Sequence, residues 1–212
     1  VTSIGTSAFY GIVALEELTF ETGSSLTSIG DYAFYEAAIT FVVIPASVTS
    51  IGVSAFEGFG ALITLTFETG SSLNTIGETA FQATAIISVV IPASVTSIGA
   101  SAFNYIVALE ELTFEDGSQL TSIGDGAFEG SAITSVEIPA SVISIGEGAF
   151  GDIVALTTIT FEEGSALTSI GADAFDGANG DTDPLTPLTC TCINSDCPSG
   201  VTDYTSTGAT EL

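Results

Sequence analysis

Three cysteines near the end of the sequence are the residues best suited to metal or redox chemistry. Cys190 and Cys192 are separated by one residue, and Cys197 follows within the same Ser/Thr/Asp/Pro/Gly-rich stretch. A structural zinc site takes four Cys or His ligands, commonly in paired knuckles, but the sequence has no fourth Cys and no His. We therefore interpret Cys190, Cys192 and Cys197 as disulfide candidates of an oxidising compartment, with one thiol left over for a partner chain.

Carboxylates that recur at one repeat position are candidates for binding a divalent cation. Glu21, Glu68, Glu115 and Glu162 form this column. Calcium takes roughly six to eight oxygen ligands at close range, and equivalent residues one full repeat apart are too distant to share an ion. The sequence also lacks an Asp-x-Asp-x-Asp loop. We expect loosely bound Ca²⁺ at most and no dedicated cofactor, the alternative being a solvated acidic face.

A second column consists of threonines, which suggests an ice-binding face or sites for O-linked sugars. They precede a Ser-Ile-Gly phrase and are interrupted by Asn74 and Ile143. The simpler interpretation is the ordinary β-propensity of threonine on a half-exposed strand. No Asn-x-Ser/Thr sequon is present. The threonines of this column are Thr2, Thr27, Thr49, Thr96, Thr121 and Thr168.

The sequence does not predict an enzyme, because it contains no Lys, Arg or His beside its 26 acidic residues. General acid–base catalysis and activation of a Ser or Thr nucleophile then lack their usual partner groups. A carboxylate pair such as Glu162 and Glu163 resembles a glycosidase pair, but a repeated turn explains it better. The same composition excludes nucleic acid and anionic membranes as partners, since both are bound through Lys and Arg.

The missing basic residues favour a location outside the cell. The sequence contains no stretch of 18 or more apolar residues, so we expect no membrane insertion. The missing basic residues fit three hypotheses, namely nitrogen economy, resistance to proteases that cleave after Lys or Arg, and solubility in high salt. All three favour an extracellular or cell-surface protein.

These candidate residues are carried by an internal repeat that dominates the chain. An Ile-Gly pair followed by Ala-Phe occurs eight times, from Ile4-Gly5 with Ala8-Phe9 to Ile170-Gly171 with Ala174-Phe175. The spacing alternates between 25 and 22 residues, so the true repeat is 47 residues long and contains two similar halves. Because no half can bury its apolar face alone, this pattern predicts a solenoid of stacked units.

Each half-unit predicts one short strand and one turn. The segments Leu15-x-x-Leu18-x-Phe20 and Ile39-x-x-Val42-x-Ile44, with their equivalents, alternate as strands do and are expected to stack into one parallel sheet. Glycine of the Ile-Gly pair is expected to supply freedom for a tight turn. Asp31, Glu78 and Asp125 then favour the start of a short helical turn, and the eight Phe residues should form a buried column.

The phrase Ile-Pro-Ala-Ser-Val-Thr-Ser-Ile-Gly-x-x-Ala-Phe, followed by Leu-x-x-Leu-x-Phe or Ile-x-x-Val-x-Ile, resembles the BspA-type (treponemal-type) leucine-rich repeat. The resemblance implies a right-handed leucine-rich-repeat solenoid of α/β class on surface or secreted proteins, with one parallel sheet, short helical turns opposite it and roles in adhesion. The family commonly has Cys three residues after the Phe. That position here holds Ile12, Ala37, Phe59, Thr84, Ile106, Ser131 and Ile153.

We therefore predict a solenoid over residues 1–177 and a Cys/Thr/Pro-containing tail over 178–212. The first functional hypothesis is a structural subunit that self-assembles into an extracellular filament, sheath or surface layer. Its possible assembly end is formed by Val1, Thr2 and Ile4, because the first turn starts without a cap. The alternative is an adhesin whose sheet face binds an extracellular protein or glycan, and ice binding is a minor third hypothesis.

Overall fold

The structure is a computed structural model that describes residues 1–58 and 60–177, together with the backbone of residues 189–192. Fifteen short strands make up the regular secondary structure of these described residues. They are β1 (Ser3–Ile4), β2 (Ser28–Ile29), β3 (Phe41–Ile44), β4 (Ser50–Ile51), β5 (Thr64–Phe67), β6 (Thr75–Ile76), β7 (Ser88–Ile91), β8 (Ser97–Ile98), β9 (Glu111–Phe114), β10 (Ser122–Ile123), β11 (Ser135–Ile138), β12 (Ser144–Ile145), β13 (Thr158–Phe161), β14 (Ser169–Ile170) and β15 (Thr189–Cys192).

The continuous sheet of the solenoid is built from the Ser-Ile or Thr-Ile dipeptides that directly precede the glycines of the repeat phrase. These two-residue strands form one parallel eight-stranded sheet in the order β1-β2-β4-β6-β8-β10-β12-β14. Each strand pairs in register with its equivalent one turn away, so that Ile4 pairs with Ile29 and Ile29 with Ile51. The repeat of the sequence is therefore the repeat of the fold.

The four-residue strands pair in smaller groups, which corrects the prediction that they form the one sheet. β3 pairs with β5, β7 with β9, and β13 with both β11 and β15. Their predicted alternation is confirmed, because Val42 and Ile44 of β3 are buried while Phe41 and Val43 face outward. Pro45 lies directly after β3, where the missing N–H donor breaks no ladder.

The eight phenylalanines of the Ala-Phe phrase form the predicted column along the solenoid axis. Neighbouring rings are stacked with centroids 5.1 to 5.6 Å apart. All of them are buried except Phe9, which is 38% exposed. The column is Phe9, Phe34, Phe56, Phe81, Phe103, Phe128, Phe150 and Phe175. Stacked aromatic contacts of this kind add to the hydrophobic contribution of each buried ring.

The predicted short helical turns are wrong, since the described residues contain no helix. The residue before each Ala-Phe has a left-handed backbone, as in Ser101 with φ 54°. In most turns a second left-handed residue follows two positions after the Phe, as in Tyr105 with φ 52°. An α-helix needs consecutive right-handed residues, so two left-handed ones around Ala-Phe prevent it.

The backbone of these turn segments bonds to the next turn instead of to itself. The N–H groups of Ser101, Phe103 and Tyr105 donate to the carbonyl oxygens of Asp125, Ala127 and Glu129, each at 2.8 Å. The same triplet recurs in the other turns, from Ser7 to Asp152. All of these N–H groups point along the axis in one direction, and this turn face therefore satisfies its backbone as a sheet does.

The Ile-Gly glycines are required by close packing between turns, which corrects the prediction that they supply backbone freedom for a tight turn. A Cβ on Gly99 would lie 2.6 Å from Glu78 N and 2.7 Å from Gly77 C. Equivalent clashes occur at Gly30, Gly77 and Gly124. Their φ angles are not left-handed, so the missing side chain, rather than backbone freedom, is what these positions need.

Candidate interaction surfaces

The outer face of the four-residue strands carries an exposed apolar patch, which we call the strand-face patch. It consists of Phe41, Val43, Ile63, Ile87 and Val90, whose side chains are between 36% and 52% exposed, and it is interrupted by the outward Thr64 and Thr66 of β5. Phe41 and Val43 are the outward residues of β3, Val90 belongs to β7, and the two isoleucines directly precede β5 and β7. Exposed apolar side chains grouped on one face commonly mark interaction sites.

Carboxylates border the strand-face patch on both sides along the axis. Glu17 forms a parallel bridge with Phe41 on the side of the first turn. On the other side Glu111 pairs with Ser88 of β7, and Glu110 precedes it. Glu137 is the outward residue of the following strand, β11. The chain has no Lys or Arg to neutralise these groups, so the patch is an apolar centre inside an acidic rim.

In the column of Glu21, Glu68, Glu115 and Glu162, the last three residues have a structural role that the sequence pattern did not predict. Glu68 Oε2 accepts a hydrogen bond from the N–H of Ala46 at 2.9 Å. Glu115 and Glu162 accept in the same way from Ala93 and Ala140. Each bond joins a carboxylate to the Pro-Ala corner of the preceding turn. The three acceptors are thus backbone caps rather than merely solvated charges.

Asp31 and Asp125 make a related contact, which replaces their predicted role at helix starts. Asp31 Oδ1 accepts a hydrogen bond from Val53 N–H at 2.8 Å, and Asp125 Oδ1 accepts one from Glu147 N–H at 2.9 Å. In both cases the donor belongs to the next turn. These carboxylates therefore tie neighbouring turns together at the point where a local helix was expected.

The threonine column also has a structural explanation. Thr27 Oγ1 donates to Thr2 O at 2.9 Å, and Thr121 Oγ1 donates to Thr96 O at 2.9 Å. Thr49, Thr96 and Thr168 donate to the preceding turn in the same manner. The hydroxyl groups of these five threonines thus donate to backbone carbonyls. This accounts for the regular threonines without an ice-binding function.

An open acidic groove lies on the turn face near the last described turns. It encloses about 510 Å³, and Gly126, Gly148 and Gly151 leave the space for it. Its carboxylates are Asp125, Glu129, Glu147, Asp152, Asp173 and Asp176. Within residues 1–58 and 60–177, however, no group of three or more Asp, Glu, His or Cys is arranged to hold a metal ion. Loosely bound Ca²⁺ stays a prediction.

The remaining candidate residues lie at the two ends of the chain. Val1 and Thr2 are exposed and Ile4 is half-buried. Cys197 lies outside the described residues. Cys190 and Cys192 belong to β15, whose backbone register aligns them with Ile159 and Phe161 of β13. Their predicted role in disulfides stays a prediction. Over the described part of the chain there is no helix of the length and hydrophobicity that a membrane span requires.

The family of the protein follows from this repeat geometry and from a sequence comparison. The sequence profile of the BspA type leucine-rich repeat region matches in six copies, over residues 1–110 and 74–200. The chain belongs to the BspA-type leucine-rich repeat family. Its stacked Ile-Gly and Ala-Phe phrases are thus BspA-type repeats, as the sequence had indicated. No curated protein matches this BspA-type chain significantly in sequence.

Solved leucine-rich repeat structures share the fold of this BspA-type chain. A leucine-rich repeat protein from Bacteroides ovatus is 22% identical with a TM-score of 0.60, covering 85% of this chain and 57% of its own. A leucine-rich cell surface protein from Faecalibacterium prausnitzii is 23% identical with a TM-score of 0.53, covering 91% and 58%. The pneumococcal vaccine antigen PcpA is 20% identical with a TM-score of 0.51, covering 85% and 57%.

This chain therefore spans 57% to 58% of the length of these three proteins. At such identities the likeness establishes the solenoid fold and no more.

Proposed function

We propose that the protein is an extracellular or cell-surface recognition module that binds a partner protein across its strand-face patch. The observation that carries this proposal is the apolar centre of Phe41, Val43 and Val90 within its acidic rim. The BspA-type family and the cell surface protein among the similar structures support a surface location. The proposal assigns no catalysis, because the sequence lacks Lys, Arg and His.

The chemistry of the patch specifies the partner. Burial of the five apolar side chains supplies a non-directional gain of roughly 25 cal/mol per Å² of apolar area removed from water. The carboxylates on either side favour Lys and Arg at the edges of the partner and reject acidic surfaces. A second copy of this chain would bring another acidic rim against the first. The partner is therefore an extracellular polypeptide segment with apolar residues at its centre and basic residues at its flanks.

The test uses fluorescein-labelled peptides that share one apolar centre and differ in their flanks. Fluorescence anisotropy should show binding of the peptide with Arg flanks, and no binding of the peptide with Glu flanks. Replacing Phe41 and Val90 by Ser should weaken the Arg-flanked peptide at least tenfold. The matched control is Val107→Thr, since Val107 is 73% exposed but lies outside the patch. If the Arg-flanked peptide binds the Phe41/Val90 variant as tightly as the unchanged protein, the peptide is attracted only by the overall negative charge. That result would overturn the proposal.

A filament or layer subunit is the second candidate, favoured by the translational order of the fold. The phenylalanine column and the one-directional N–H bonds of the turn face both extend by adding another turn. If no segment precedes Val1 in the mature protein, a second copy stacked on Val1, Thr2 and Ile4 would continue both. Electron microscopy of material from the native source tests this. Fibres would support it, while dispersed rods at high concentration would contradict it.

A further inference from the structure

Three tyrosines form an exposed aromatic corner on the turn face of the first two turns. The rings of Tyr10 and Tyr35 are stacked with centroids 4.8 Å apart and an interplanar angle of 12°. Tyr32 meets Tyr35 edge-on, with centroids 5.9 Å apart and an angle of 61°. Tyr10 is 53% exposed and Tyr32 is 39% exposed. The corner therefore presents aromatic surface in two directions outside the hydrophobic core.

The side chain of Tyr32 departs from the repeat, although its backbone does not. Tyr32 has φ 55°, in the left-handed region that bulky side chains rarely adopt. The same repeat position holds a smaller residue in the other turns, namely Ser7, Ser54, Thr79, Ser101, Gly126, Gly148 and Asp173. All eight turns are left-handed at this position, so only the bulky side chain is particular to the second turn. Folding alone does not require a tyrosine here.

Two carboxylates lie near Tyr35 in the aromatic corner. Glu57 occupies the position of the next turn that is equivalent to Tyr10 and Tyr35, and Glu36 directly follows Tyr35. The pKa of Tyr35 is raised above its ordinary 10.0 by partial burial and by the negative charges of Glu57 and Glu36. No Lys or Arg exists in the chain to pair with these groups. The site therefore combines aromatic faces with uncompensated negative charge.

We propose that Tyr10, Tyr32, Tyr35, Glu36 and Glu57 form a binding site for an Arg side chain of a partner protein. A guanidinium stacks on aromatic faces and pairs with carboxylates through its planar fork of donors. Both interactions are available within this corner. An ammonium offers only a point charge and is more strongly hydrated, so the site discriminates Arg from Lys. This turn-face site is separate from the strand-face patch and does not depend on it.

NMR titration of the whole chain with a short peptide tests the proposal. The probe is acetyl-Gly-Arg-Gly-Arg-Gly-amide, and its analogue with citrulline in place of Arg keeps the shape but removes the charge. The Arg peptide should shift the backbone amides of residues 32–36 and 57. It should bind at least tenfold more tightly than the citrulline peptide, and more tightly than an analogue with Lys in place of Arg.

Each test variant replaces a residue of the aromatic corner by the residue that another turn has at the same repeat position. Tyr32→Ser copies Ser54, Tyr35→Gln copies Gln82, and Glu57→Gln copies Gln82 as well. Each should weaken the Arg peptide at least fivefold. The matched control is Tyr105→Ala, which copies Ala83. Tyr105 is 53% exposed and also left-handed, but a Cβ added to Gly130 would lie 2.9 Å from its ring, so it packs on the next turn.

The outcomes separate this site from general charge attraction and from the strand-face patch. If Tyr32→Ser and Tyr35→Gln bind the Arg peptide as the unchanged protein does, the proposal is overturned. It is equally overturned if maltoheptaose shifts the same amides while the Arg peptide does not, because the corner is then a carbohydrate site. The Phe41→Ser variant should keep the Arg-peptide affinity. If the strand-face patch binds no partner, the binding of the Arg peptide to the aromatic corner is therefore unaffected.

Discussion

Glu68 Oε2 accepts a hydrogen bond of 2.9 Å from the backbone N–H of Ala46, which lies one turn earlier in the solenoid. The same relationship joins Glu115 to Ala93 and Glu162 to Ala140. A column of carboxylates that could be taken for a cation site is thereby part of the scaffold. The acidic character of the protein is in this respect structural.

Removing this cap is expected to weaken the stacking of neighbouring turns. Glu68→Ala should lower the free energy of unfolding by about 1 kcal/mol, because Ala46 N–H loses its protein acceptor. Glu68→Gln keeps an acceptor oxygen and should lose less. Urea denaturation followed by circular dichroism measures both. The control is Glu16→Ala, since Glu16 is exposed, and a loss there equal to that of Glu68→Ala would contradict the assignment.

Gly99→Ala is expected to be one of the most damaging single changes in the chain. Its Cβ would lie 2.6 Å from backbone atoms of the preceding turn, so the turns must separate. The free energy of unfolding should fall by about 3 kcal/mol or more, as in other overpacked positions. Gly5→Ala is the matched control, because a Cβ on Gly5 meets nothing within 4 Å. Similar midpoints in urea for both variants would refute the packing argument.

Ser131 and Thr84 occupy the same repeat position with opposite consequences. Ser131 Oγ is buried without a hydrogen-bond partner, whereas Thr84 Oγ1 donates to Phe81 O at 2.9 Å. Ser131→Ala should therefore raise the free energy of unfolding by up to about 1 kcal/mol, and Thr84→Val should lower it by about 1 kcal/mol. Thermal and urea unfolding should show these opposite signs, and a loss of stability in Ser131→Ala would indicate an unrecognised partner.

The phenylalanine column should be most sensitive to change in its interior. Phe103 is fully buried and stacks on Phe81 at 5.2 Å and on Phe128 at 5.3 Å. Phe103→Ala should lower the free energy of unfolding by about 3–5 kcal/mol. Phe9→Ala should cost clearly less, because Phe9 is 38% exposed and stacks on one ring in this chain. Calorimetric unfolding compares the two, and equal losses would contradict a column that is buried by its neighbours.

The titration of Tyr35 should report the negative charge around the aromatic corner. Partial burial, Glu57 and Glu36 raise the pKa of Tyr35 above 10.0 in the folded chain. The folded state therefore holds the phenol proton more tightly than the unfolded state. This contribution to stability is fully present below pH 10 and is lost as the pH rises through the folded pKa.

Glu57→Gln should move the pKa of Tyr35 back toward 10.0, because it removes the carboxylate that raises this pKa more than Glu36 does. The measurement is a pH titration of the tyrosine Cζ resonances by carbon NMR. Glu137→Gln is the matched control, since Glu137 lies on the strand face and should leave Tyr35 unchanged. An identical shift in both variants would show that only the net charge matters.

The repeat is evident from the sequence alone. Eight copies of Ile-Gly with Ala-Phe at alternating spacings of 25 and 22 residues can bury their apolar side chains only by stacking. The alternation of Ile39, Val42 and Ile44 likewise predicted which strand residues point inward. These predictions depend on periodicity, which is a property of the sequence, and the structure confirms them.

The position of the continuous sheet and the form of the turns could not be predicted in this way. Ser101 and Tyr105 adopt left-handed backbone conformations although neither residue type favours them. Their N–H groups are satisfied by Asp125 and Glu129 of the next turn. This bonding is a property of stacked turns and is absent from any single one. Local propensity therefore favoured a helix where tertiary hydrogen bonds impose an extended ladder.

The repeat pattern and composition are enough to predict a BspA-type solenoid with a phenylalanine core and an acidic surface without Lys, Arg or His. Only the tertiary structure decided what the individual side chains do. Glu68 caps Ala46, Gly99 faces the backbone of Glu78, and Tyr10 lies on Tyr35 because the register aligns residues more than 20 positions apart. Such contacts depend on where one turn lies on the next, and no local pattern of residues encodes that position.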